Sequence, residues 1–581
     1  MNNFLPGLVL ILGGAAAVAL PARLRPVLMI AAFGLVAGQL VLVLDLGSTW
    51  EMRWLGFDLV PLRVDALSLA FGSVFAIIGT LGAFYALHLR ARGQQAAVLF
   101  YGGGSLGVVF AGDLLTLFVF WEVMAVASAY LIMQGGQGRS AAAGMRYLFV
   151  HVTGGAVLLT GILWHVAGTD SLLFEGFDGG AAAWLILIGF AVNAAIPPVH
   201  AWLTDAYPEA GAAAMVFLSA FTTKTAVYVL LRGFAGWDIL IFFGAVMALY
   251  GVIYAVLEND IRRLLAYHII SQVGFMVTAA GIGTSFAIEA ATAHAFAHVL
   301  YKGLMIMATG AVMTTTGTTK MTELGGLAPR MRVLFSLYMV GAFSISAVPF
   351  FAGFVCMSLV IEAASDNGSS LAVLSLYVAS VGTFLHTGLK LPYFTWFGAK
   401  RATPVTLIRK VPVGMYVGMS GAAVLCVAIG LFPQAFYDFM NFTGSYAVYK
   451  PAKVIHALEL LVFTGLGFWL ILGALKPKDK VSTDTDWLYR NAGKPIRMLV
   501  QQPLERALSV VEGAATALAD SMGRLVTTPD AVWSGLLSTT GYARRHGLGA
   551  TLGLVGRPPL GVAIAVMLVT FVTLTLFAIM N

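Results

Sequence analysis

The sequence predicts an all-α protein that crosses a lipid bilayer many times. Hydrophobic residues make up 59% of the 581 residues and charged residues only 10%, whereas a soluble domain carries about 25% charged residues. Apolar segments near the roughly 20 residues needed to cross the hydrocarbon layer recur along the whole chain. Segments of this length favour a helical bundle over a barrel of short alternating strands.

The apolar segments predict a series of membrane spans along the chain. Pro197-Pro198 and Pro349 predict breaks inside two of them, because proline removes a backbone donor and clashes with the preceding turn. Broken helices are tolerated where protein or a water-filled cavity surrounds them, and they are typical of transport paths. The predicted spans cover residues 3–21, 27–45, 66–87, 97–112, 114–134, 146–167, 183–199, 211–232, 238–257, 263–282, 289–313, 333–350, 352–364, 371–397, 413–433, 455–475 and 559–580.

The two ends of the chain are predicted to lie outside the main bundle repeats. Residues 1–96 form N-terminal transmembrane helices, and residues 434–476 contain the last core helix. After Lys476 the sequence becomes polar, which predicts an amphipathic arm lying on the surface over 477–558 and a terminal transmembrane anchor over 559–581. A mobile tail tethered to one more helix is the alternative for this part.

The basic residues predict how the protein sits in the membrane. Arginines such as Arg23, Arg90 and Arg139 fall in alternate loops, while Asp170 and Glu175 occupy an opposite loop. Because short cytoplasmic loops are enriched in Lys and Arg, the N-terminus is expected on the outer face of the cell's inner (plasma) membrane. The net charge of +7 is therefore explained by orientation signals and does not indicate nucleic-acid binding.

The cysteine and glycine patterns argue against a redox cofactor in this chain. Cys356 and Cys426 stand alone in apolar surroundings, so no disulfide framework, thiolate metal site or iron–sulfur ligation is expected. The glycines of YGGGSLG (101–107) satisfy the GxGxxG spacing, but no strand–turn–helix context or acidic partner accompanies them. We expect no cofactor and no bound metal.

Two charged residues lie inside apolar segments. Glu122 is close to the middle of the segment 114–134, and Lys224 is flanked by apolar and small residues in the segment 211–232. An ionisable group near the bilayer centre costs roughly 2.5–3.5 kcal/mol on insertion scales, so such groups usually mark ion pathways. The structural alternatives are a Glu122 bonded to the backbone and a Lys224 whose ammonium extends to the membrane surface.

Basic residues at helical spacing suggest a row of proton carriers. His294, His298 and Lys302 recur at four-residue intervals, so they share one helix face about 6 Å apart. Histidine titrates near neutrality and a buried lysine can be brought there. Zinc binding is the alternative, but no third ligand or HExxH glutamate accompanies the pair. His386 and Lys390 repeat this spacing.

Two further histidines, His268 and His200, are weaker candidates. A single histidine in a membrane helix is often a hydrogen-bonded packing residue, so this alternative applies to both.

At these positions the chain resembles a known family. The matching segments are VDALSLAF (64–71), FWEVM (120–124), PPVHAWLTDAYPEA (197–210), SAFTTKTAVY (219–228), NDIRRLLAYHIISQVGF (259–275), HAFAHVLYKG (294–303) and TFLHTGLKLPYF (383–394). In order, they resemble segments of the antiporter-like subunits shared by respiratory complex I and the Mrp cation/proton antiporters. The versions at 265–275 and 386–398 are most similar to the D subunit of the Mrp antiporters.

The resemblance implies a fold and roles for the candidate residues. It implies about 14 core transmembrane helices with two inverted five-helix repeats, here 97–257 and 258–433, each containing a broken helix. Glu122 and Lys224 would be a coupled pair, and Lys390 would be the terminal proton-transfer lysine. His294, His298 and Lys302 would line the connecting polar axis. Where some relatives have a lysine in the helix after the first repeat, this chain has His268 or, at the interface, Arg262 and Arg263.

The resemblance also implies a function. The chain would be the proton-conducting subunit of a multisubunit Na⁺/proton antiporter of the Mrp type, and thus part of an ion transporter and not an enzyme. Its partners would be small hydrophobic subunits of the same complex, the bilayer, protons and Na⁺. The alternatives are a proton-pumping subunit of a complex I-like or membrane-bound hydrogenase complex, and a membrane enzyme or scaffold without conduction.

Overall fold

A computed structural model describes residues 5–54, 56–136, 138–398, 405–444 and 446–479, together with residues 484, 485, 487, 509 and 513. The chain divides into two compact units, Met1–Asp486 and Trp487–Asn581. The fold below is that of the first unit. The predicted arm over 477–558 and the predicted anchor over 559–581 lie almost entirely outside the described residues.

The first unit is a bundle of α-helices joined by short loops. Eleven helical segments of the described chain are long and apolar enough to cross a membrane, and three further apolar helices are shorter. The helices are α1 (Pro6–Ala19), α2 (Arg25–Leu42), α3 (Ala66–Tyr85), α4 (Arg92–Phe110), α5 (Leu114–Met133), α6 (Ser140–Thr169), α7 (Gly180–Asn193), α8 (Ala201–Ala206), α9 (Ala212–Ala220), α10 (Thr222–Gly233), α11 (Asp238–Leu257), α12 (Ile261–Ile282), α13 (Ser285–Thr316), α14 (Arg332–Ile345), α15 (Ala352–Asp366), α16 (Ser370–Thr383), α17 (Val413–Leu431), α18 (Pro433–Phe439) and α19 (Pro451–Leu470).

The burial of the helices shows where the bundle has its centre. The joined helices α9 and α10, together with α12 and α13, are buried along almost their whole length. In contrast, α19 is mostly exposed along its apolar surface, as expected of a helix that faces lipid. Lys224, His268 and Lys302 are among the buried polar residues on these central helices.

A β-hairpin between α2 and α3 was not among the predicted elements. Strands β1 (Thr49–Trp54) and β2 (Phe57–Arg63) pair antiparallel, with a register irregularity between Trp50 and Met52. Gly56 at the turn has a φ of +84°, a conformation that glycine adopts without the Cβ clash of other residues. The alternation of polar and apolar residues over 49–63 is the sequence signal that indicates this hairpin.

The proline-containing gaps separate helices and are not kinks within one helix. The span predicted over 183–199 ends as α7 at Asn193, and the span predicted over 333–350 ends as α14 at Ile345. Each helix is followed by an alanine with positive φ, Ala195 at +57° and Ala347 at +54°. A proline two residues later cannot supply the amide that would continue the helix, so the chain turns at both places.

The interruptions within membrane-crossing segments lie elsewhere. Phe221 separates α9 from α10, and the helix that begins as α16 continues as π-helical turns over Phe384–Lys390 and Tyr393–Phe397. A π-helical turn has i→i+5 hydrogen bonds and is often found at functional sites. Both interruptions lie beside a predicted site lysine, Lys224 in the first case and Lys390 in the second.

One local pattern occurs twice along the chain. Asp113 caps the N-terminus of α5 by accepting from the Thr116 amide, and Asp260 caps α12 in the same way. Each aspartate also forms an isolated antiparallel bridge to a residue that follows the next helix, Leu173 and Lys320 respectively. The helix after each bridge is α7 or α14, which ends in the alanine turn described above.

Candidate functional site

The predicted basic residues lie in the buried centre of the bundle. Lys224 is on α10, His268 on α12, and His294, His298 and Lys302 on α13. Each of these side chains is at most 1% exposed. A membrane-embedded ionisable side chain with no exposure must be compensated by other polar groups or by water.

His268 joins Lys302 to the interrupted helix. The Lys302 Nζ atom lies 2.9 Å from His268 Nδ1, and His268 Nε2 lies 3.0 Å from Thr383 Oγ1. The ring of His386 packs edge-on against the His268 ring, with 4.8 Å between centroids. Because one imidazole nitrogen accepts a proton while the other donates one, His268 is placed to pass a proton between two helices.

Lys390 is held by backbone carbonyls at the end of α11. Its Nζ atom donates to the carbonyl oxygens of Val256 and of Glu258, the latter at 2.9 Å. The Glu258 carboxylate lies 3.4 Å from Arg263. Burial raises the pKa of the Glu258 carboxyl, and Arg263 opposes this effect. The end of α11 therefore solvates the ammonium without a direct ion pair among the described residues.

His294 and His298 have no hydrogen-bond partner among the described residues. Their ring centroids are 6.0 Å apart, and the His298 ring packs edge-on against Tyr301 at 5.4 Å. Buried polar groups are nearly always paired, either with protein or with ordered water. Proton transfer between Lys224 and Lys302 along this face of α13 would therefore need water beside the two imidazoles.

Lys224 finds its hydrogen-bond acceptors at the helix interruption at Phe221. Its Nζ atom donates to the Ser219 carbonyl at 2.9 Å and to Thr223 Oγ1 at 3.1 Å. Ser219 is in the last turn of α9, where carbonyls lose their intrahelical partners. The break therefore provides the acceptors that an ammonium group needs in an apolar interior.

Glu122 is separated from Lys224. Its Oε1 atom is buried without a hydrogen-bond partner among the described residues, and it contacts Gly155 of α6. The side chain lines a cavity of about 550 Å³ between α4 and α5. No ion pair joins Glu122 to Lys224 in the described part of the chain, so the expected coupled pair is not in direct contact.

A group of hydroxyl side chains lies between α5, which carries Glu122, and α10, which carries Lys224. These residues were not predicted from the sequence. Ser128 of α5 bonds Tyr147 of α6 at 2.9 Å, and Tyr147 lies 3.4 Å from Thr222 of α10. Tyr101 of α4 contacts the same Thr222 oxygen at 2.6 Å. Neutral Tyr, Ser and Thr residues are common in membrane helices, so nothing in the sequence distinguished them. This hydroxyl cluster links the Glu122 helix to the Lys224 helix.

The comparisons with known proteins bear on what this arrangement does. A protein family described as the NADH:quinone oxidoreductase/Mrp antiporter transmembrane family matches residues 111–383. An uncharacterised protein of Mycobacterium tuberculosis is 30% identical over 442 residues, which cover 70% of this chain and 68% of that protein. The chain belongs to this antiporter-like family. It is a multi-pass membrane protein.

Characterised relatives come from more than one kind of complex. The A subunit of the Na⁺/H⁺ antiporter of Alkalihalophilus pseudofirmus is 29% identical over 421 residues, covering 64% of this chain and 52% of that protein. Component B of hydrogenase-4 of Escherichia coli is 29% identical over 423 residues, covering 64% of this chain and 62% of that protein. This chain thus spans only about half the length of the antiporter protein that it matches.

Solved structures share the fold of this antiporter-like protein. A chain of the Mrp complex from Dietzia matches with a TM-score of 0.68 and 23% identity, covering 78% of this chain and 98% of that one. A chain of the archaeal membrane-bound sulfane sulfur reductase matches with a TM-score of 0.67 and 23% identity, covering 78% and 99%. A chain of each of these two membrane complexes therefore has this all-α architecture.

Proposed function

We propose that this antiporter-like protein is the proton-conducting subunit of a multisubunit Na⁺/proton antiporter of the Mrp type. It would work in the inner (plasma) membrane with small hydrophobic partner subunits. Family membership supports a proton-translocating membrane subunit. The observation that supports conduction by this chain is the series of buried contacts from Lys302 through His268 to the segment that carries His386 and Lys390.

The fold proposed for this function has about 14 core helices and two inverted five-helix repeats. In the described part of the chain, eleven long and three short apolar helices support that number. The pattern of a capped helix, an isolated bridge and an alanine turn occurs twice, which supports two equivalent repeats. We assign the first repeat to α4–α10 and the second to the helices from α11 to the π-helical turns. This differs from the predicted ranges 97–257 and 258–433, because the first of them includes α11 (Asp238–Leu257).

In the proposed mechanism a proton moves along the buried basic residues. Lys224 releases its proton toward His294 and His298, which pass it through water to Lys302. His268 then transfers it toward His386 and Lys390. Each transfer requires only modest pKa matching, since one pKa unit corresponds to about 1.4 kcal/mol.

Glu122 would bias the first step at a distance. Its carboxylate has no direct partner among the described residues, and the hydroxyl cluster of Tyr101, Ser128, Tyr147 and Thr222 lies between its helix and that of Lys224. Hydrogen-bonded hydroxyl chains polarise one another in an interior of low dielectric. A change of charge at Glu122 would then be felt at Lys224 without an ion pair.

A second candidate function is proton pumping in a complex I-like or membrane-bound hydrogenase complex. The similarity to hydrogenase-4 component B favours it, because identity and coverage of this chain equal those for the A subunit of the antiporter. The same basic residues would carry protons in both cases. Redox centres would belong to other chains of such a complex.

Proton flux in sealed membrane vesicles that contain the whole complex tests the proposal. Lys302→Met and Lys224→Ala should each lower cation-driven proton flux by about 10²-fold, the usual contribution of a positioned proton carrier. Lys320→Gln is a matched control, because the side chain of this lysine is 43% exposed. Lys320 is also not one of the buried lysines and histidines that carry the proton in the proposed mechanism. Near-normal flux in Lys224→Ala and Glu122→Ala would refute the mechanism. The subunits that copurify distinguish the two candidate complexes.

A further inference from the structure

Asp484 lies beyond the last core helix, yet its side chain is buried in the core. The residue is 5% exposed and lies outside the region 111–383 that the family matches. Its carboxylate accepts hydrogen bonds from Tyr250 at 2.5 Å and from Tyr267 at 2.6 Å. His200 Nε2 lies 3.2 Å from the same carboxylate, and both of these side chains are fully buried.

These contacts keep the Asp484 carboxyl ionised. Burial alone would raise its pKa, but His200, Tyr250 and Tyr267 together hold the pKa well below its usual value. A carboxylate that accepts several strong hydrogen bonds keeps its charge over the physiological range. Asp484 is therefore a fixed negative charge and not a proton carrier.

The partners of Asp484 belong to the helices that hold the basic residues. Tyr267 directly precedes His268 on α12. Tyr250 is on α11 and stacks on Tyr254 at 4.4 Å, one turn before the Val256 and Glu258 carbonyls that bind Lys390. The Asp484 carboxylate is thus hydrogen-bonded to both α11 and α12, close to His268 and to the carbonyls that bind Lys390.

The third partner connects this site to the first half of the bundle. His200 immediately precedes α8, beyond the turn that follows α7. The Thr485 hydroxyl also approaches the Pro198 carbonyl in that turn, at 3.4 Å. One carboxylate from outside the matched region therefore joins the turn after α7 to α11 and α12.

We propose that Asp484 is a positioning residue for proton transfer through His268 and Lys390. This inference rests on the proposed proton conduction. By fixing Tyr267 and Tyr250, the carboxylate sets the rotation of α12 and the end of α11, and hence the distances between the groups that exchange the proton. Displacements of about 1 Å can cost about 10²-fold in rate.

The transport experiment uses the whole complex in sealed vesicles and a pH-sensitive dye. Asp484→Asn keeps the size of the side chain but removes its charge, so flux should fall about tenfold or more with the complex fully assembled. Asp484→Glu should restore part of the flux. Asp479→Asn is the matched control, since Asp479 is in the same segment but forms an exposed ion pair with Lys320, at 3.0 Å, and such pairs contribute little.

The pH profile separates positioning from loss of stability. The groups next to the carboxylate are His200, Tyr250 and Tyr267. Arg263 interacts with Tyr267, and Glu258 forms an ion pair with Arg263. Removing a negative charge favours the deprotonated form of neighbouring groups. The flux profile of Asp484→Asn should therefore shift to lower pH, whereas a merely less stable complex would lose amplitude without a shift.

A second experiment tests the contact independently of transport. Cysteines in place of His200 and Asp484 should be joined by a short bifunctional thiol reagent in the intact complex, as scored by mass spectrometry, while a pair at His200 and Asp479 should not. Wild-type flux and an unshifted profile in Asp484→Asn, or an equal defect in Asp479→Asn, would overturn the inference. So would failure of the first cross-link. A wild-type complex that moves no protons would refute the proposed function and, with it, the role of Asp484, even if the cross-link forms.

Discussion

Replacing Gly155 with alanine should displace the Glu122 carboxyl without harming the helix. A Cβ atom at Gly155 would lie 2.1 Å from Glu122 Oε1, whereas ordinary contacts begin at 3.4 Å. The oxygen must therefore retreat by about 1.3 Å, as the two distances require. It can do so, because it ends a flexible side chain that borders a cavity of about 550 Å³.

The expected result is a loss of transport at unchanged stability. Alanine in the middle of a helix is favoured over glycine by about 0.5–1 kcal/mol, so the thermal unfolding temperature of the complex should not fall. A misplacement of this size can cost about 10²-fold in the rate of a reaction that depends on geometry. We expect proton flux in vesicles to fall by roughly one to two orders of magnitude if Glu122 biases Lys224.

Two further variants make this prediction decisive. Gly168 lies on α6 like Gly155, but a Cβ atom added at Gly168 meets nothing within 4 Å. The flux of Gly168→Ala should therefore equal that of the wild type. In a Glu122→Gln background, Gly155→Ala should add no further loss, because both changes act through one carboxyl. Wild-type flux in Gly155→Ala alone would show that the position of the Glu122 carboxyl is irrelevant to transport.

Two other outcomes follow from contacts described above. Lys302→Met and His268→Phe should each lower proton flux. Because the two side chains form one contact, the flux of the double variant should be no lower than that of the slower single variant. Additive losses would contradict a shared step. Asp65 is paired with Arg232 at 2.6 Å; burial raises the pKa of Asp65, but Arg232 and the Ser68 amide outweigh this and leave it below the usual 3.8. Asp65→Asn should therefore be less stable by about 1 kcal/mol at neutral pH. The difference should begin to decrease near the usual pKa of 3.8 and vanish as the pH falls through the lower pKa of the folded protein. A constant difference down to low pH would exclude the ion pair as its cause.

Much of the fold follows from apolar segments of membrane-spanning length. The span predicted over 238–257 has the same limits as α11, because charged or polar residues flank an uninterrupted apolar segment there. Helix ends inside the membrane are harder to predict. The segments containing Pro197 and Pro349 remain apolar beyond the points where α7 and α14 stop, so hydrophobicity alone overestimates the length of both helices.

The candidate site is predictable where it consists of charges and less so where it consists of neutral groups. Buried Lys224, Lys302 and Lys390 stand out because a charge in an apolar segment is costly. His268 looked weaker as a single histidine, yet it bonds Lys302, since its neighbours come from other helices and leave no local pattern. Whether these residues carry protons stays a prediction.

The π-helical turns fix the direction in which Lys390 points from its helix. A residue in an α-helix advances by about 100° around the axis, since 3.6 residues complete a turn. Rewinding Phe384–Lys390 as an α-helix would swing the Lys390 ammonium sideways, away from the Val256 and Glu258 carbonyls that now hold it. The contact between Lys390 and the end of α11 therefore depends on the π-helical winding of this one segment.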